Sequence, residues 1–477
     1  MDYKNLNEKS KKGLEGYSIS GKSNNNTGEI PENLLRKKLN LPQISEIEVM
    51  RHFQNLSRMN YGVDDGFYPL GSCTMKYNPR VNEKLASLEN FNIHPLTDTD
   101  FSQGALEVIY ELKKSLSVIT GLPGISLHAN AGAHGELLGL MLIKGYFQNK
   151  GINKNKILIP SSAHGTNPAS VTLCGFEAKE IKVLDDGTID TSDLEKNLDD
   201  NTAGIMLTNP NTAGIFERDI LKITSLMHKN DALVYMDGAN MNALMGKVLA
   251  SDMGIDVMHL NLHKSFSTPH GGGGPGAGAV CVAEQLIPFL PVPDVKIENG
   301  KYYLDYDIPQ SVGKINAFYG NFGVLVRALA YIKTLGAQGI KQVAEYSVLN
   351  ANYLFALLKK HFHVPFDKIC MHEFILTDKD MPNHITTNNI AKRLLDYGYH
   401  PPTVYFPLIV KGAIMIEPTE TESKERIEDF KDAMLKILQE AKDNPELVKN
   451  APVNTPVKKV DEVNAARKPV LNWKMES

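Results

Sequence analysis

The chain has 477 residues and a net charge of −4, with 42% hydrophobic and 22% charged residues. That is ordinary globular composition with enough apolar chain for a sizeable core, roughly three domains' worth by size alone. The charge and the lack of a concentrated basic stripe argue against a nucleic-acid partner, and no run approaches the ~18 apolar residues that span a membrane.

The four cysteines, Cys73, Cys174, Cys281 and Cys370, form no CxxC pair and no metal-ligand spacing, so reduced thiols and no metal are expected. The start, Met1-Asp2-Tyr3-Lys4-Asn5, has no apolar signal core, and Asp2, Glu8 and Glu15 do not suit an Arg-rich transit peptide. A bacterial or archaeal cytoplasm is the expected location.

In chain order, residues 1–100 read as an N-terminal arm. Its first 40 residues are rich in Asn, Lys and Ser (Asn24-Asn25-Asn26 among them) and should be extended; the rest should be helical and irregular, with Tyr68–Pro79 as a structured loop. Residues 101–335 alternate helical runs with strand-like runs at Ile157–Pro160, Glu180–Leu184, Gly204–Thr208, Leu233–Asp237, Val257–Leu262 and Ala277–Val282. Alternation of this kind predicts an α/β domain with a large, mostly parallel sheet flanked by helices. An Ala- and Leu-rich helix, Gly323–Leu335, leads to a smaller C-terminal α/β domain over 336–445, with strands at Glu373–Leu376 and Ala413–Glu417 and a helix near Lys424–Ala441. The tail, 446–477, carries Pro452, Pro456 and Pro469 and cannot be helical throughout.

Chemistry-bearing residues sit beside these strands. Ala129–Glu136 is a small-residue turn opening the apolar run Leu137–Ile143. A helix start binds phosphate through free amides and its dipole, which makes Gly132, Ala133 and His134 candidates. His164 follows the strand Ile157–Pro160, where a flat imidazole can stack on a cofactor ring. Thr208 ends another strand and is placed to touch a ring substituent. Asp237, in Leu233-Val234-Tyr235-Met236-Asp237-Gly238-Ala239, falls at a strand's carboxyl end, where open α/β sheets bind ligands. A carboxylate there would keep a pyridine nitrogen protonated, with Ala239 close by. Lys264 follows His263 at the end of Val257–Leu262 and precedes the turn Gly271–Gly276. That is where a pyridoxal phosphate (PLP) enzyme puts its Schiff-base lysine, and His263 is placed to bond the phosphate.

Each piece alone has a plain alternative: a turn aspartate, a structural histidine, a solvated lysine. Their order carries the argument. Phosphate turn, stacking histidine, ring-nitrogen aspartate and Schiff-base lysine in succession resemble the aminotransferase-like (fold type I) PLP-dependent transferases. His372-Glu373 and Glu417-Pro418-Thr419-Glu420 could be functional, but exposed acidic clusters are usually solvated surface, and they are left outside the site.

The string Tyr68-Pro69-Leu70-Gly71-Ser72-Cys73-Thr74-Met75-Lys76-Tyr77-Asn78-Pro79, with the Lys264 segment, narrows the resemblance. From about Leu41 to Trp473 the chain resembles the glycine decarboxylase P-protein family, in particular subunit 2 of its two-subunit form. The resemblance implies PLP-dependent decarboxylation of glycine, with the aminomethyl group passed to the lipoyl arm of H-protein. It implies PLP held as a Schiff base on Lys264, with His164 and Asp237 as the other catalytic residues. A partner subunit 1 in an α2β2 heterotetramer is implied too, and Ser72 and Thr74 are placed near the substrate. An entry channel for the lipoyl arm is expected between the Tyr68–Pro79 loop and the Gly271–Gly276 turn.

Two other readings stay open. One is another PLP enzyme of the same fold; an aminotransferase acting on a dicarboxylate would present an arginine, for which Arg58, Arg80 and Arg327 are available. The other is a non-catalytic scaffold subunit, which the presence of both Lys264 and Asp237 disfavours.

Overall fold

A computed structural model describes residues 4–16, 30–36, 41–271 and 276–471. The Asn24–Asn26 run, Trp473 and the Gly272–Pro275 part of the glycine turn lie outside the described residues. Contacts group the chain into two compact units, one of residues 1–65 and 454–477 and one of residues 66–453. In the first, the main element is the helix Glu46–Ser57, and the tail contributes a short helix, Glu462–Arg467.

The second unit is built on a seven-stranded sheet: β1 (Gly124–Ser126), β2 (Lys156–Pro160), β3 (Glu177–Ile181), β4 (Thr202–Thr208), β5 (Leu233–Asp237), β6 (Val257–Asn261) and β7 (Gly278–Val282). The strand order is β1-β7-β6-β5-β4-β2-β3. The pairs from β3 through β6 are parallel, and β7 runs antiparallel to both β6 and β1. This is the mostly parallel α/β sheet expected from the sequence. The third strand lies three residues earlier than its apolar pattern placed it, because Glu177–Ile181 is an edge strand with only Ile181 buried.

Strands β4 to β7 are buried along their whole length, as a sheet covered on both faces requires. Their alternate side chains feed two separate cores. Val234, Met236, Met258 and Leu260 pack into one, with the helix Thr99–Thr120; Tyr235, Val257 and Val280 pack into the other, with the helix Gly132–Asn149. That second helix approaches the sheet closely because its inner face is glycine. A Cβ at Gly139 would stand 2.2 Å from the Tyr235 ring, and one at Gly135 would stand 3.0 Å from the His259 Cβ.

The hairpin β8 (Asp294–Glu298) and β9 (Lys301–Asp305) follows. The helix Phe322–Leu358 is interrupted at Gly336, whose φ of 61° and ψ of −175° are not helical, so its first part ends where the sequence placed it. A three-stranded antiparallel sheet, β10 (Phe374–Thr377), β11 (Thr403–Val404) and β12 (Ala413–Ile416), packs with the helix Lys424–Asp443 around a third core. Among the described residues no helix is long and apolar enough to cross a membrane.

Candidate active site

Register decides where the site forms. Thr208, Asp237 and His259 are Cα partners across β4, β5 and β6, so their side chains leave the same face of the sheet in one row. That face is the one covered by the Gly132–Asn149 helix. Where the strands end, a cavity of about 140 Å³ opens, lined by Ser72, Gly132, Ala133, Glu136, His164, Thr166, Thr208, Thr212, Asp237, Ala239, Asn240, His259, Asn261 and Lys264.

Asp237 is 3% exposed, which would be costly for a lone carboxylate. Burial pushes its carboxyl upward, but His259, the Ala239 N–H, Lys264 and Asn167 outweigh that and hold it below its ordinary value. The Ala239 N–H donates to Oδ1 (2.9 Å), Asn167 Nδ2 donates to Oδ2 (3.3 Å), and His259 Nε2 stands 3.3 Å from Oδ1. On its other side His259 Nδ1 meets the Tyr235 hydroxyl at 2.8 Å. The chain Tyr235–His259–Asp237 therefore fixes the carboxylate from behind.

Lys264 follows β6 in a single helical turn, Leu262–Ser265, and its Nζ donates to the Ser72 carbonyl at 2.8 Å. Gly132 and Ala133 are the first residues of their helix, which has no side-chain cap, so the opening amides are free to bind an anion at the cavity wall. A Cβ on Gly132 would lie 2.7 Å from Asn261 Oδ1, which ties glycine to this position. The Thr208 hydroxyl is buried without a partner, as is Asn261 Oδ1. An amine, an ionised carboxylate, free helix-start amides and an unsatisfied hydroxyl around one cavity fit the aldehyde, pyridine nitrogen, phosphate and ring oxygen of PLP.

His164 is exposed at the cavity edge. Its Nδ1 is 2.8 Å from Thr166 Oγ1, which donates to Glu136 Oε1 at 2.8 Å, and its ring meets Phe406 edge-on at 5.4 Å between centroids. Three candidates, His134, His263 and Thr74, fall outside the cavity lining. His134 Nδ1 accepts the Asn130 N–H, and His263 packs against Ala277, with burial first and Lys264 second pulling its imidazole down to about 4. Thr74 lies one layer back, bonded to Glu417, while Ser72 reaches the cavity. The expected channel partly involves the undescribed glycine turn.

The reading of His372, Glu373 and Glu417 as solvated surface is corrected here. All three are at most 1% exposed, and the two carboxylates bind the loop that faces Lys264. Composition hides this, because the groups that bury and satisfy them lie some 300 residues earlier in the chain. Glu136, Asn167 and His259 were also missed. His259 at least carried a signal, as a polar residue inside an otherwise apolar strand. Arg327 is held by Glu83 through two bonds of 2.8 and 2.7 Å, so it is engaged away from the cavity.

The family described as "Glycine dehydrogenase, C-terminal domain" matches residues 343–459, and "Aminotransferase class-V" matches residues 140–361. The chain is 55% identical over 448 residues (93% of this chain, 92% of the relative) to a probable glycine dehydrogenase (decarboxylating) subunit 2 of Caldanaerobacter subterraneus subsp. tengcongensis. It is 54% identical to the protein of that name from Kosmotoga olearia, covering 98% of both chains. Among solved structures, it is similar to an inhibitor-bound glycine decarboxylase (P-protein) of the glycine cleavage system, with a TM-score of 0.72 and 19% identity over 86% of this chain and 93% of that one. A cysteine desulfurase from Thermococcus onnurineus NA1 shares the fold at a TM-score of 0.62 and 15% identity, covering 79% and 95%.

Proposed function

The chain belongs to the glycine dehydrogenase (decarboxylating) subunit 2 family, and from that membership we propose that it decarboxylates glycine with PLP and passes the aminomethyl group to the lipoyl arm of H-protein. The observation that carries this reading is that Lys264, Asp237 and the free amides of Gly132 and Ala133 face one cavity. PLP, when bound, supplies an electron sink for the pair left on the glycine Cα as the carboxylate departs as CO2.

The chain's own residues do the rest. Lys264 would hold the cofactor as a Schiff base. Asp237, kept ionised by His259 and the Ala239 N–H, would hold the proton on the pyridine nitrogen, which is preorganised electrostatics rather than bond-making. Gly132 and Ala133 would bind the phosphate, Thr208 the ring oxygen, and His164, steadied by Thr166, one face of the ring. Ser72 would border the glycine. The aminomethyl carbon ends bonded to one lipoyl sulfur, and the other sulfur is released as a thiol.

The name "subunit 2" in the relatives supports a partner subunit 1, which we place with this chain in an α2β2 heterotetramer. The bacterial source of these relatives supports a cytoplasmic setting. Exchange of labelled bicarbonate into the glycine carboxyl tests the reaction. It should require this chain, subunit 1 and lipoylated H-protein together. Equal exchange without H-protein, or turnover of another amino acid without either partner, would overturn the reading.

A further inference from the structure

Behind the cavity wall lie two carboxylates that the proposed reaction does not use. Glu373 immediately precedes β10 and Glu417 immediately follows β12, and the antiparallel register Phe374↔Ile416 sets them opposite each other at the sheet's end. They are 0% and 1% exposed. Burial raises both carboxyls, and at Glu373 the neighbouring Glu417 raises it further, well above the ordinary range. His372 between them offers no compensating charge. Burial, with Lys264 adding to it, pulls its imidazole down to about 3, and its Nε2 stays 3.8 Å and 3.9 Å from the two carboxylates.

The pair is instead answered by a loop. The Ser72 N–H donates to Glu373 Oε2 at 2.6 Å, and the Cys73 and Thr74 N–H groups donate to Glu417 Oε2 at 3.1 Å and 2.8 Å. Thr74 Oγ1 donates to Glu417 Oε1 at 2.6 Å. Three successive amides are thus committed to two buried carboxylates. The turn they make is unfavourable in itself, with Ser72 at a φ of 62° and Thr74 at 50°. A left-handed conformation is unfavourable for a non-glycine residue and persists where surrounding bonds over-determine it. Through this turn the Ser72 carbonyl faces the Lys264 amine.

We propose that Glu373 and Glu417 are a positioning pair for Lys264: they hold the Ser72–Thr74 turn in its left-handed shape, so that the Ser72 carbonyl fixes the amine at the cavity wall for attachment of the cofactor. This rests on the reading of Lys264 as the PLP lysine. Glu417 accepts three bonds and Glu373 accepts one from the turn, so Glu417 carries the larger share.

The test uses the full chain with Glu417→Leu and Glu373→Leu, which leave no acceptor for the turn. Two quantities are measured: hydrogen exchange of the peptide covering residues 72–74 without cofactor, and the rate at which added PLP becomes borohydride-trappable on Lys264. Glu417→Leu should speed exchange in that peptide and slow attachment about tenfold, a modest loss for a misplaced reacting group. Glu373→Leu should act in the same direction but less. Ser72→Gly, which tolerates positive φ without a partner, should restore part of the rate in the Glu373→Leu background. If Glu417→Leu does not fold, Thr74→Val removes only the hydroxyl bond and should slow attachment by a smaller factor. Faster exchange with an unchanged attachment rate would overturn the proposal, as would unchanged exchange. A wild-type chain that forms no adduct on Lys264 would overturn the cofactor reading itself, so the two failures are distinguishable.

Discussion

The ε-amine of Lys264 donates a 2.8 Å hydrogen bond to the carbonyl oxygen of Ser72, a residue 192 positions earlier in the chain. The bond joins the two stretches that identified the chain from its sequence, the Tyr68–Pro79 string and the strand-end lysine. They form one wall of one cavity, which gives the string a physical role: it is the surface against which the lysine is set.

A methyl group at Gly132 tests the phosphate assignment. Its Cβ would meet Asn261 Oδ1 at 2.7 Å, so either the helix start or Asn261 must shift. Gly132→Ala should weaken PLP binding by at least about tenfold, a loss of about 1.4 kcal/mol, while the far-ultraviolet circular dichroism is unchanged. Titration of the chain with PLP checks this, and wild-type affinity would count against the helix start as the phosphate site.

Asp237→Asn removes the charge but keeps the size. The rate of glycine carboxyl exchange should fall about 10²- to 10³-fold, as expected when one preorganised electrostatic partner is lost. The pH dependence has a definite sign. The folded carboxyl lies below its ordinary value, so its contribution is present across the neutral range and is lost only as pH falls through that depressed value. A loss of activity assigned to this group near neutral pH would contradict the assignment.

Lys76 anchors the other half of the loop. Its ammonium is 2% exposed and donates to Asn242 Oδ1 (2.8 Å), the Ser265 carbonyl (3.0 Å), the Tyr331 hydroxyl (3.3 Å) and Glu420 Oε1 (2.8 Å). Burial would lower it, but Glu420 and Tyr331 outweigh that and hold it above its ordinary value. Lys76→Met should cost about 3–5 kcal/mol, because it leaves Glu420 buried without its cation. The urea midpoint reads this loss, and adding Glu420→Gln should recover part of it.

Burial pushes the Glu422 carboxyl up to about 7, against an opposing pull from Arg426. The folded state therefore binds this proton more tightly than the unfolded state, where the ordinary value is 4.5. Its stabilising contribution is complete below the unfolded value and is lost as pH rises through about 7. Glu422→Gln should raise the urea midpoint at about pH 8 and leave it unchanged at about pH 4.

Much of the fold was legible because β4 to β7 are buried on both faces and so read as unbroken apolar runs. β1 was not, since Gly124–Ser126 is three residues long and carries no periodicity. The β8–β9 hairpin was missed although Asn299-Gly300, at φ values of 50° and 79°, is a two-residue turn signal between half-exposed strands. Of the cavity lining, residues at or just past strand ends were legible by position, Lys264, Asp237 and Thr208 among them. Glu136, Asn167, Glu373 and Glu417 were not, because their surroundings are made by segments distant in sequence, and a carboxylate by itself reads as surface.

Borohydride reduction of the chain with PLP in the presence of subunit 1, followed by peptide mapping, tests the role of Lys264 directly. A single reduced adduct is expected, on Lys264, that disappears in Lys264→Ala while the variant keeps its fold. An adduct on another lysine, or none in the wild-type chain, would contradict that role.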